Sequence, residues 1–213
     1  LTQAGNSMEV NARVLKFIDK LPDIFKVHSN GLIQHFISFS LFPSDKKVIS
    51  AVENTRRIIS PKRLRAANRH LRQKEIGYHS FNLYAFSLLK RSFPELDFWN
   101  TKKINLALTL VNKNYYHKQI LCSSYGFPYN PPGFEIPFTL ETFFPGKSTL
   151  DISKKWLSMQ LQYCYSAETS LMENNTSDPK THAARIYEAT RLSNIAIDIT
   201  DDLGKAQPLE GSK

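Results

Sequence analysis

Apolar residues recur along this chain in blocks of helical length, and proline-containing stops separate the blocks. Phe-Pro pairs at residues 42–43, 93–94 and 144–145 are separated by a constant interval of 51 residues. Each pair closes an aromatic-rich segment, and a proline directly after an apolar helix is a common stop signal. The spacing therefore predicts repeated helical hairpins of about 51 residues.

Two kinds of helix are predicted within each unit. Segments 29–44 and 76–89 contain no charged residue, which is typical of inner helices covered on both sides. The runs after the Phe-Pro pairs place apolar residues such as Ile104 and Leu108 on one face only, and they predict half-exposed outer helices. N-cap residues are expected just before these outer helices, at Ser44, Thr101 and Ser148.

The complete pattern predicts an all-α fold, because strand-like alternation never holds for long. We expect an outer helix at Val10–Lys20, hairpins at about 30–58, 80–117 and 132–168, and a last inner helix at about 180–197. Residues 1–200 are interpreted as a single helical-hairpin domain and residues 201–213 as a flexible tail. Three and a half hairpins are too few to close a ring, so another chain or segment is expected to complete it.

Composition limits the classes of function. Hydrophobic residues make up 41% and aromatic residues 12% of the chain, which excludes a disordered protein. No apolar stretch is long enough to span a membrane. Cys122 and Cys164 are the only cysteines and cannot form a disulfide framework or a four-cysteine zinc site, so a reducing, cytoplasmic location is predicted.

The net charge of +9 comes mostly from one segment, residues 56–74, which holds no acidic residue. Its basic residues are Arg56, Arg57, Lys62, Arg63, Arg65, Arg69, Arg72 and Lys74. We interpret the segment as a solvated connection between an outer and an inner helix; the alternative is a surface that binds an acidic protein or nucleic acid. Aromatic residues that would stack on bases are absent from it.

Polar residues recur at one position of the 51-residue register. His28, His79 and Asn130 are equivalent, and in the last unit Thr181 beside His182 takes this place. Helix N-termini carry free amides and a positive dipole, so this end of the inner layer is predicted to bind hydroxyls or anions. The three histidines either serve the structure or meet around one cavity as acid and base.

Two carboxylates lie one turn further along the inner helices. Glu135 either complements a helix dipole or contributes to ligand binding and proton transfer. A buried Glu188 needs a partner, and Arg185 three residues earlier could supply it. No pair of histidines at metal-ligand spacing occurs, so no metal is predicted, and no cofactor either.

The segments Gly77–Tyr84 (GYHSFNLY) and Tyr129–Glu135 (YNPPGFE) resemble inner-helix starts in α/α-toroid enzymes that act on sugars. The comparison is with six-hairpin glycosidases and N-acylglucosamine 2-epimerase-like proteins, and it covers about residues 28 to 165. The resemblance implies a site at the inner-helix ends, with acid or base side chains and aromatic platforms under a sugar. It implies His79, Tyr78, Tyr129 and Glu135 as site residues.

We therefore predict a carbohydrate-directed enzyme, a hydrolase of the glycosidase type or an isomerase of the epimerase type, acting on a sugar-like small molecule. Catalysis is assigned to His79, His182, Glu135 and Glu188. Substrate binding is assigned to His28, Tyr78, Asn82, Tyr84, Tyr129, Asn130 and Arg185. The alternative is a non-catalytic α-solenoid that binds an acidic protein or nucleic acid through residues 56–74.

Overall fold

The computed structural model describes residues 8–35, 61–146 and 149–197, with side chains from residue 65 onward in the helix that begins at Pro61. In chain order the α-helices are α1 (Met8–Ile24), α2 (Pro61–Ser92), α3 (Lys102–Leu110), α4 (Asn114–Cys122), α5 (Pro132–Phe143), α6 (Leu150–Cys164) and α7 (Pro179–Ala184), with 3₁₀-helices at Asp97–Asn100 and Arg185–Arg191. The described ranges contain no β-strand and only two isolated bridges. The all-α prediction is confirmed.

Helix α1 confirms the predicted outer helix and extends it at both ends. Its inner face buries Ile18 and Leu21, while Leu15 and Phe17 remain exposed. The helix continues through Pro22 to Ile24. It therefore covers the core with one face only, as the sequence pattern indicates.

The prediction of an inner helix at 29–44 is wrong for residues 29–35. These residues form a turn, in which Gly31 adopts a φ of +94° and Asn30 Oδ1 accepts a hydrogen bond from the Leu32 amide. A Cβ on Gly31 would lie 2.3 Å from the Leu106 carbonyl oxygen, so only glycine fits there. Residues 36–58, which include the rest of the predicted first hairpin and Phe42-Pro43, lie outside the described residues.

Helix α2 joins two segments that the sequence analysis separates. It runs without a break for 32 residues, so the basic segment is the first half of this helix from Pro61 onward, and the predicted connection is wrong there. Its lysines, arginines and alanines are good helix formers. Arg56 and Arg57 lie outside the described residues. The described residues 65–70 are exposed on every side, whereas Leu83 and Ser87 in the second half are buried.

Two of the predicted proline stops are confirmed. Helix α2 ends at Ser92, directly before Phe93-Pro94, and α5 ends at Phe143, directly before Phe144-Pro145. The predicted N-cap Thr101 accepts a hydrogen bond from the Ile104 amide at 3.5 Å. Ser44 and Ser148 lie outside the described residues. The outer limb of the second hairpin consists of two short helices, α3 and α4.

Helices α2 and α5 run parallel and side by side. The Asn130 side-chain amide donates to the Gly77 carbonyl at 3.1 Å, and the Ser87 hydroxyl donates to Thr139 Oγ1 at 3.2 Å. Arg91 Nε donates to Thr142 Oγ1 at 2.9 Å, again across about one predicted repeat. A nearly constant sequence offset between contacting residues requires parallel axes. The N-terminus of α5 therefore lies beside the middle of α2.

Helices α5 and α6 form the third predicted hairpin, apart from residues 147–148. Helix α5 is buried from Pro132 to Leu140. Gly133 lies so close to α6 that a Cβ would be 2.4 Å from the Trp156 carbonyl oxygen, and its amide donates to Gln160 Oε1 at 3.0 Å. None of the described helices is both long and apolar enough to span a bilayer.

The predicted last inner helix is helical only in its first part, and it is not buried like an inner helix, because Ile186 and Tyr187 are exposed and only His182 and Glu188 are buried. An α-helix at Pro179–Ala184 continues as a 3₁₀-helix to Arg191, and residues 192–197 are irregular. This segment lies along α5, because the Arg185 guanidinium contacts Glu135 and the Ser193 amide donates to Glu141. The 3₁₀-helix therefore covers one side of the first turn of α5.

Candidate functional site

One guanidinium connects three elements at the N-terminal end of α5. Arg185 Nη1 donates to Asn130 Oδ1 at 2.8 Å, and Nη2 donates to Glu135 Oε1. Arg185 Nε donates to Glu188 Oε1 at 3.0 Å. The Glu135 and Glu188 side chains are buried, whereas 13% of the Arg185 side chain is exposed. Arg185 is therefore the outer member of a buried polar cluster.

Local structure explains why these side chains meet. Glu135 lies in the first turn of α5, and Asn130 comes just before that helix. Arg185 and Glu188 lie on one side of a 3₁₀-helix, whose three-residue turn brings residues i and i+3 together. The predicted Arg185–Glu188 pair is confirmed, and the structure adds Glu135 and Asn130 to it.

The cluster contains two carboxylates and one guanidinium in a buried setting. Burial raises the pKa of the Glu135 carboxyl to about 7, although Arg185 acts to lower it and Glu188 adds to the increase. Burial also raises the pKa of Glu188, against the opposing effect of Arg185. Glu135 can therefore gain and lose a proton near neutral pH.

One oxygen of each carboxylate has no partner. Glu135 Oε2 and Glu188 Oε2 accept no hydrogen bond within the described structure. Ser80 is close enough to Glu135 to lower its pKa, but its hydroxyl forms no hydrogen bond of good geometry. A buried oxygen without a hydrogen bond costs free energy. A proton or a polar ligand group that binds to these two atoms would therefore be stabilised.

Aromatic side chains border the exposed edge of the cluster. Arg185 Cζ lies 5.2 Å from the centroid of the Phe81 ring. The Tyr78 ring centroid lies 6.1 Å from that of Phe81 and 6.1 Å from that of Tyr129. Phe81 and Tyr129 are each 40% exposed. Partly exposed aromatic rings, inclined to one another by 56° to 85°, thus adjoin the buried polar groups.

A second arginine, Arg191, lies close enough to Glu188 to act on its carboxyl and to lower its pKa. Arg191 Nη1 donates to the Tyr84 hydroxyl, and its Cζ lies 5.4 Å from the Tyr187 ring centroid. Burial raises the pKa of Tyr84, and Glu188 adds to this, so Tyr84 stays protonated. The predicted binding residue Tyr84 therefore lies near the cluster.

His79 lies in the core and bonds to two backbone groups. The Ile33 amide donates to its Nδ1 at 3.3 Å, and its Nε2–H donates to the Ala107 carbonyl at 3.0 Å. The ring is fully buried, and burial lowers its pKa to about 3. These bonds tie the turn after α1 and helix α3 to α2, so the geometry favours a structural role. The catalytic role of His79 stays a prediction.

The other two predicted histidines have different partners. His28 Nε2 lies 3.0 Å from both carboxylate oxygens of Glu75. His182 is buried, with Nε2 at 3.9 Å from the Cys164 sulfur and no well-formed hydrogen bond at Nδ1. Burial lowers the pKa of His182. No described hydrogen bond joins two of the three histidines.

Asn82 lies on a groove rather than in the cluster. It lines a mostly apolar cavity of about 390 Å³ together with Gln34, and Tyr78 and Phe81 border both this groove and the Arg185 cluster. Among the described residues, no group of three or more His, Cys, Asp or Glu side chains is arranged to hold a metal ion.

The sequence analysis missed three residues near the site. Phe81 stands within the segment that carries the family resemblance, so it could have been chosen with Tyr78. Arg191 and Tyr125 carry no comparable signal, because only the folded chain brings them to Tyr84 and to Tyr78.

The chain is similar to Archaeal glycosylation protein Q of Haloferax volcanii. The two sequences are 37% identical over 194 residues, which are 89% of this chain and 52% of that protein. The chain thus spans about half the length of the curated relative that it matches. No protein-family model matches the chain, and no solved structure matches it.

Proposed function

We propose that this chain acts on carbohydrate in a glycosylation pathway, with the Arg185 cluster as the centre of its site. The similarity to a protein named for glycosylation supports the pathway. The buried Glu135–Arg185–Glu188 arrangement beside exposed aromatic rings carries the proposal for the site. Sugars combine apolar ring faces with many hydroxyls, so a sugar site needs aromatic side chains for the ring faces and hydrogen-bonding groups for the hydroxyls.

We further propose that the helices belong to an α/α-toroid completed by hairpins from another chain or segment. The parallel packing of α2 and α5 supports this arrangement, because inner helices of successive hairpins run parallel in a toroid. Contacts such as Arg91–Thr142 join residues one predicted repeat apart. The N-terminus of α5 and the middle of α2, near Gly77, would border the mouth that holds Asn130 and Glu135.

Each side chain has a defined task in this proposal. Arg185 binds sugar oxygens through its exposed edge, and Tyr78 with Tyr129 supports a sugar ring from below. Glu135 gives up and takes back a proton, because its pKa lies near 7. His182, with its unpaired Nδ1, remains the histidine proposed to assist, and His79 is assigned to structure.

Of the two predicted reaction types, the geometry favours an isomerase of the epimerase type. Glycosidases commonly hold two carboxyl groups about 5 to 9.5 Å apart on either side of the bond that they cleave. Here Glu135 Oε1 and Glu188 Oε1 both contact the same Arg185 nitrogen, so a guanidinium, and not a bond to be cleaved, occupies the space between the two carboxylates. A carboxyl that gains and loses a proton near neutral pH, such as that of Glu135, suits proton transfer to and from a single carbon.

The test measures deuterium incorporation and the formation of new reducing ends in the same reaction. The full-length protein is incubated in D₂O with mono- and oligosaccharides, and products are read by NMR. Epimerisation incorporates deuterium at the inverted carbon, whereas hydrolysis creates new reducing ends without such exchange. Glu135→Gln should abolish turnover, and Glu141→Gln on the same helix should retain it. Turnover that survives Glu135→Gln in a folded protein would refute the proposed role of Glu135.

The basic half of α2 supports the rival function, a non-catalytic α-solenoid that binds an acidic protein or nucleic acid. Arg65 and Arg69 are exposed, and neither has an acidic partner in the described part of the chain. A scaffold of this kind should bind a polyanion with strong salt dependence, and it should be indifferent to Glu135→Gln. The same pair of measurements therefore separates the two functions.

A further inference from the structure

The mostly apolar groove lies between α1, the turn after α1, and the second half of α2. Phe17 of α1, Ile33 of the turn and Ala85 of α2 belong to its three walls. Its volume of about 390 Å³ is in the range of small-molecule sites. Two aromatic residues of its lining, Phe17 and Phe81, are 49% and 40% exposed, so the groove presents apolar surface to solvent. Apolar surface of this kind is typical of a binding site.

The lining of the groove indicates an apolar ligand group with few polar atoms. Most of the residues that form it are aromatic or aliphatic. Among the described residues that line it, none is acidic, and Lys26 is the only lysine or arginine. The remaining polar side chains are those of Gln34, His35, Tyr78 and Asn82, and the His35 ring packs against that of Tyr78 at 5.0 Å between centroids. A sugar in the groove would leave most of its hydroxyls without partners, which costs free energy.

Phe81 connects the groove with the Arg185 cluster across the surface of α2. An α-helix turns by about 100° per residue, so Phe81 lies between Tyr84 on one side and Ala85 on the other. The Tyr84 hydroxyl accepts a hydrogen bond from Arg191, whereas Ala85 lines the groove. Arg185 Cζ lies 5.2 Å from the centroid of the Phe81 ring. The groove and the cluster therefore occupy adjacent faces of α2 at the same level, with one exposed ring between them.

We propose that this groove binds the aglycone of the substrate, and that the natural ligand is a saccharide joined to an apolar group, either an alkyl chain or an aromatic ring. The inference rests on the proposed function and names the substrate class of that site. The sugar would lie at the Arg185 cluster, and the apolar group would extend over Phe81 into the groove. Removal of this group from water would add to the affinity for the sugar.

The surroundings of the groove favour a small apolar group over a protein partner. The exposed neighbours of Phe17 one turn away on the surface of α1 are Arg13 and Lys20, and both are charged. The apolar surface is therefore confined on this side to the groove itself. A stable protein interface generally buries about 800 Å² on each partner, and its centre is poor in charged residues.

The test compares glycosides by isothermal titration calorimetry with the full-length protein, at concentrations below those at which the glycosides form micelles. The probes are the methyl, hexyl and phenyl glycosides of glucose, galactose and mannose, and the hexyl and phenyl forms distinguish an alkyl chain from an aromatic ring. The variant Phe17→Ser removes one apolar wall of the groove. Leu15→Ser is the matched control, because Leu15 is 46% exposed on the same helix and is not among the residues that line the groove.

The hexyl or the phenyl glycoside of at least one sugar should bind more tightly than its methyl glycoside. Complete burial of a methylene strengthens binding about fourfold, so we expect a gain of about two- to fourfold for each methylene of the hexyl chain. Phe17→Ser should reduce the total gain by about tenfold and keep the affinity for the methyl glycoside, while Leu15→Ser keeps both. An equal reduction in the two variants would overturn the assignment to the groove.

Tyr129→Ala tests whether the sugar and the apolar group belong to one ligand. This variant should weaken the binding of the methyl and hexyl glycosides by the same factor, because both carry the same sugar. A hexyl glycoside that binds equally well to wild type and to Tyr129→Ala would be held by its chain alone. That result would overturn the proposal that the groove extends the sugar site.

Failure of this inference is distinguishable from failure of the proposed function. Binding of methyl glycosides that neither a hexyl nor a phenyl group strengthens would overturn the aglycone assignment alone. Absence of binding by every glycoside would refute the carbohydrate function itself. A dimer that dissociates in Phe17→Ser and persists in Leu15→Ser, measured by analytical ultracentrifugation, would assign the groove to a second copy of the chain instead.

Discussion

The Arg185 guanidinium donates a hydrogen bond to Glu135 across 50 residues of sequence, and this pair joins the C-terminal 3₁₀-helix to the start of α5. Both side chains are largely removed from water. A buried ion pair depends on both of its members, because either one alone is a charge in an apolar setting. The stability of this end of the molecule therefore depends on Arg185.

Arg185→Met should destabilise the protein by about 3 to 5 kcal/mol at neutral pH, because it leaves two buried carboxylates without a cation. Urea unfolding followed by circular dichroism measures this loss. Arg13→Met on α1 is the control, because Arg13 is exposed and pairs with the exposed Glu9, and its loss should cost about 1 kcal/mol or less. Equal losses of unfolding free energy in the two variants would show that the buried Arg185 ion pair stabilises the fold no more than an exposed arginine does.

Glu135→Gln should change how stability depends on pH. The pKa of Glu135 in the folded state is about 7, above the value of about 4.3 in an unfolded chain, so the folded protein takes up the proton first. The stabilisation that this raised pKa contributes to the free energy of unfolding is complete below pH 4.3. It is lost as the pH rises through 7, and the total loss is about 3 kcal/mol. The free energy of unfolding of wild type minus that of Glu135→Gln should therefore fall between pH 5 and 8. A constant difference would contradict the raised pKa.

His79→Ala should destabilise the protein by about 2 to 4 kcal/mol, because it removes two buried hydrogen bonds and leaves a cavity. Its folded-state pKa of about 3 lies below the usual 6.5, so the stability that His79 contributes is lost as the pH falls below 6.5. His70→Ala, at an exposed position, is the control. If His79→Ala abolishes turnover while unfolding at the same urea concentration as wild type, His79 is catalytic.

Tyr129→Ala should weaken saccharide binding by about tenfold without a large loss of stability, since truncation of an aromatic residue at the centre of a binding surface commonly costs more than about 1 kcal/mol. Tyr115 offers a close control, because it too is 40% exposed but lies on α4 outside the site. Titration calorimetry with the best-binding sugar measures both variants. Equal weakening by Tyr115→Ala would remove Tyr129 from the site.

Gly77→Ala should destabilise the protein although alanine is the better helix former. Helix propensity alone predicts a gain of about 1 kcal/mol. A Cβ on Gly77 would lie 2.2 Å from the Tyr125 carbonyl oxygen, however, so α2 and the connection after α4 would have to separate. Asn68→Ala, in the exposed half of the same helix, should instead stabilise slightly. Thermal unfolding of the two variants should shift in opposite directions.

The sequence by itself determined the helical class, the stops at Phe93-Pro94 and Phe144-Pro145, and the Arg185–Glu188 pair. Each depends on residues close together in the chain, whose periodicity, capping and backbone restrictions act locally. It did not reveal that the basic segment and the inner helix form one α2, because good helix formers continue across a change from polar to apolar composition.

Only the tertiary structure decided which polar groups meet. His79 and Glu135 both stand near the predicted mouth in sequence register, yet His79 bonds to backbone groups in the core while Glu135 joins a guanidinium 50 residues away. Tyr125 reaches Lys74 in the same way. Such contacts depend on how helices pack, since burial and long-range pairing set the environment of a side chain, and neither is encoded in its immediate neighbours.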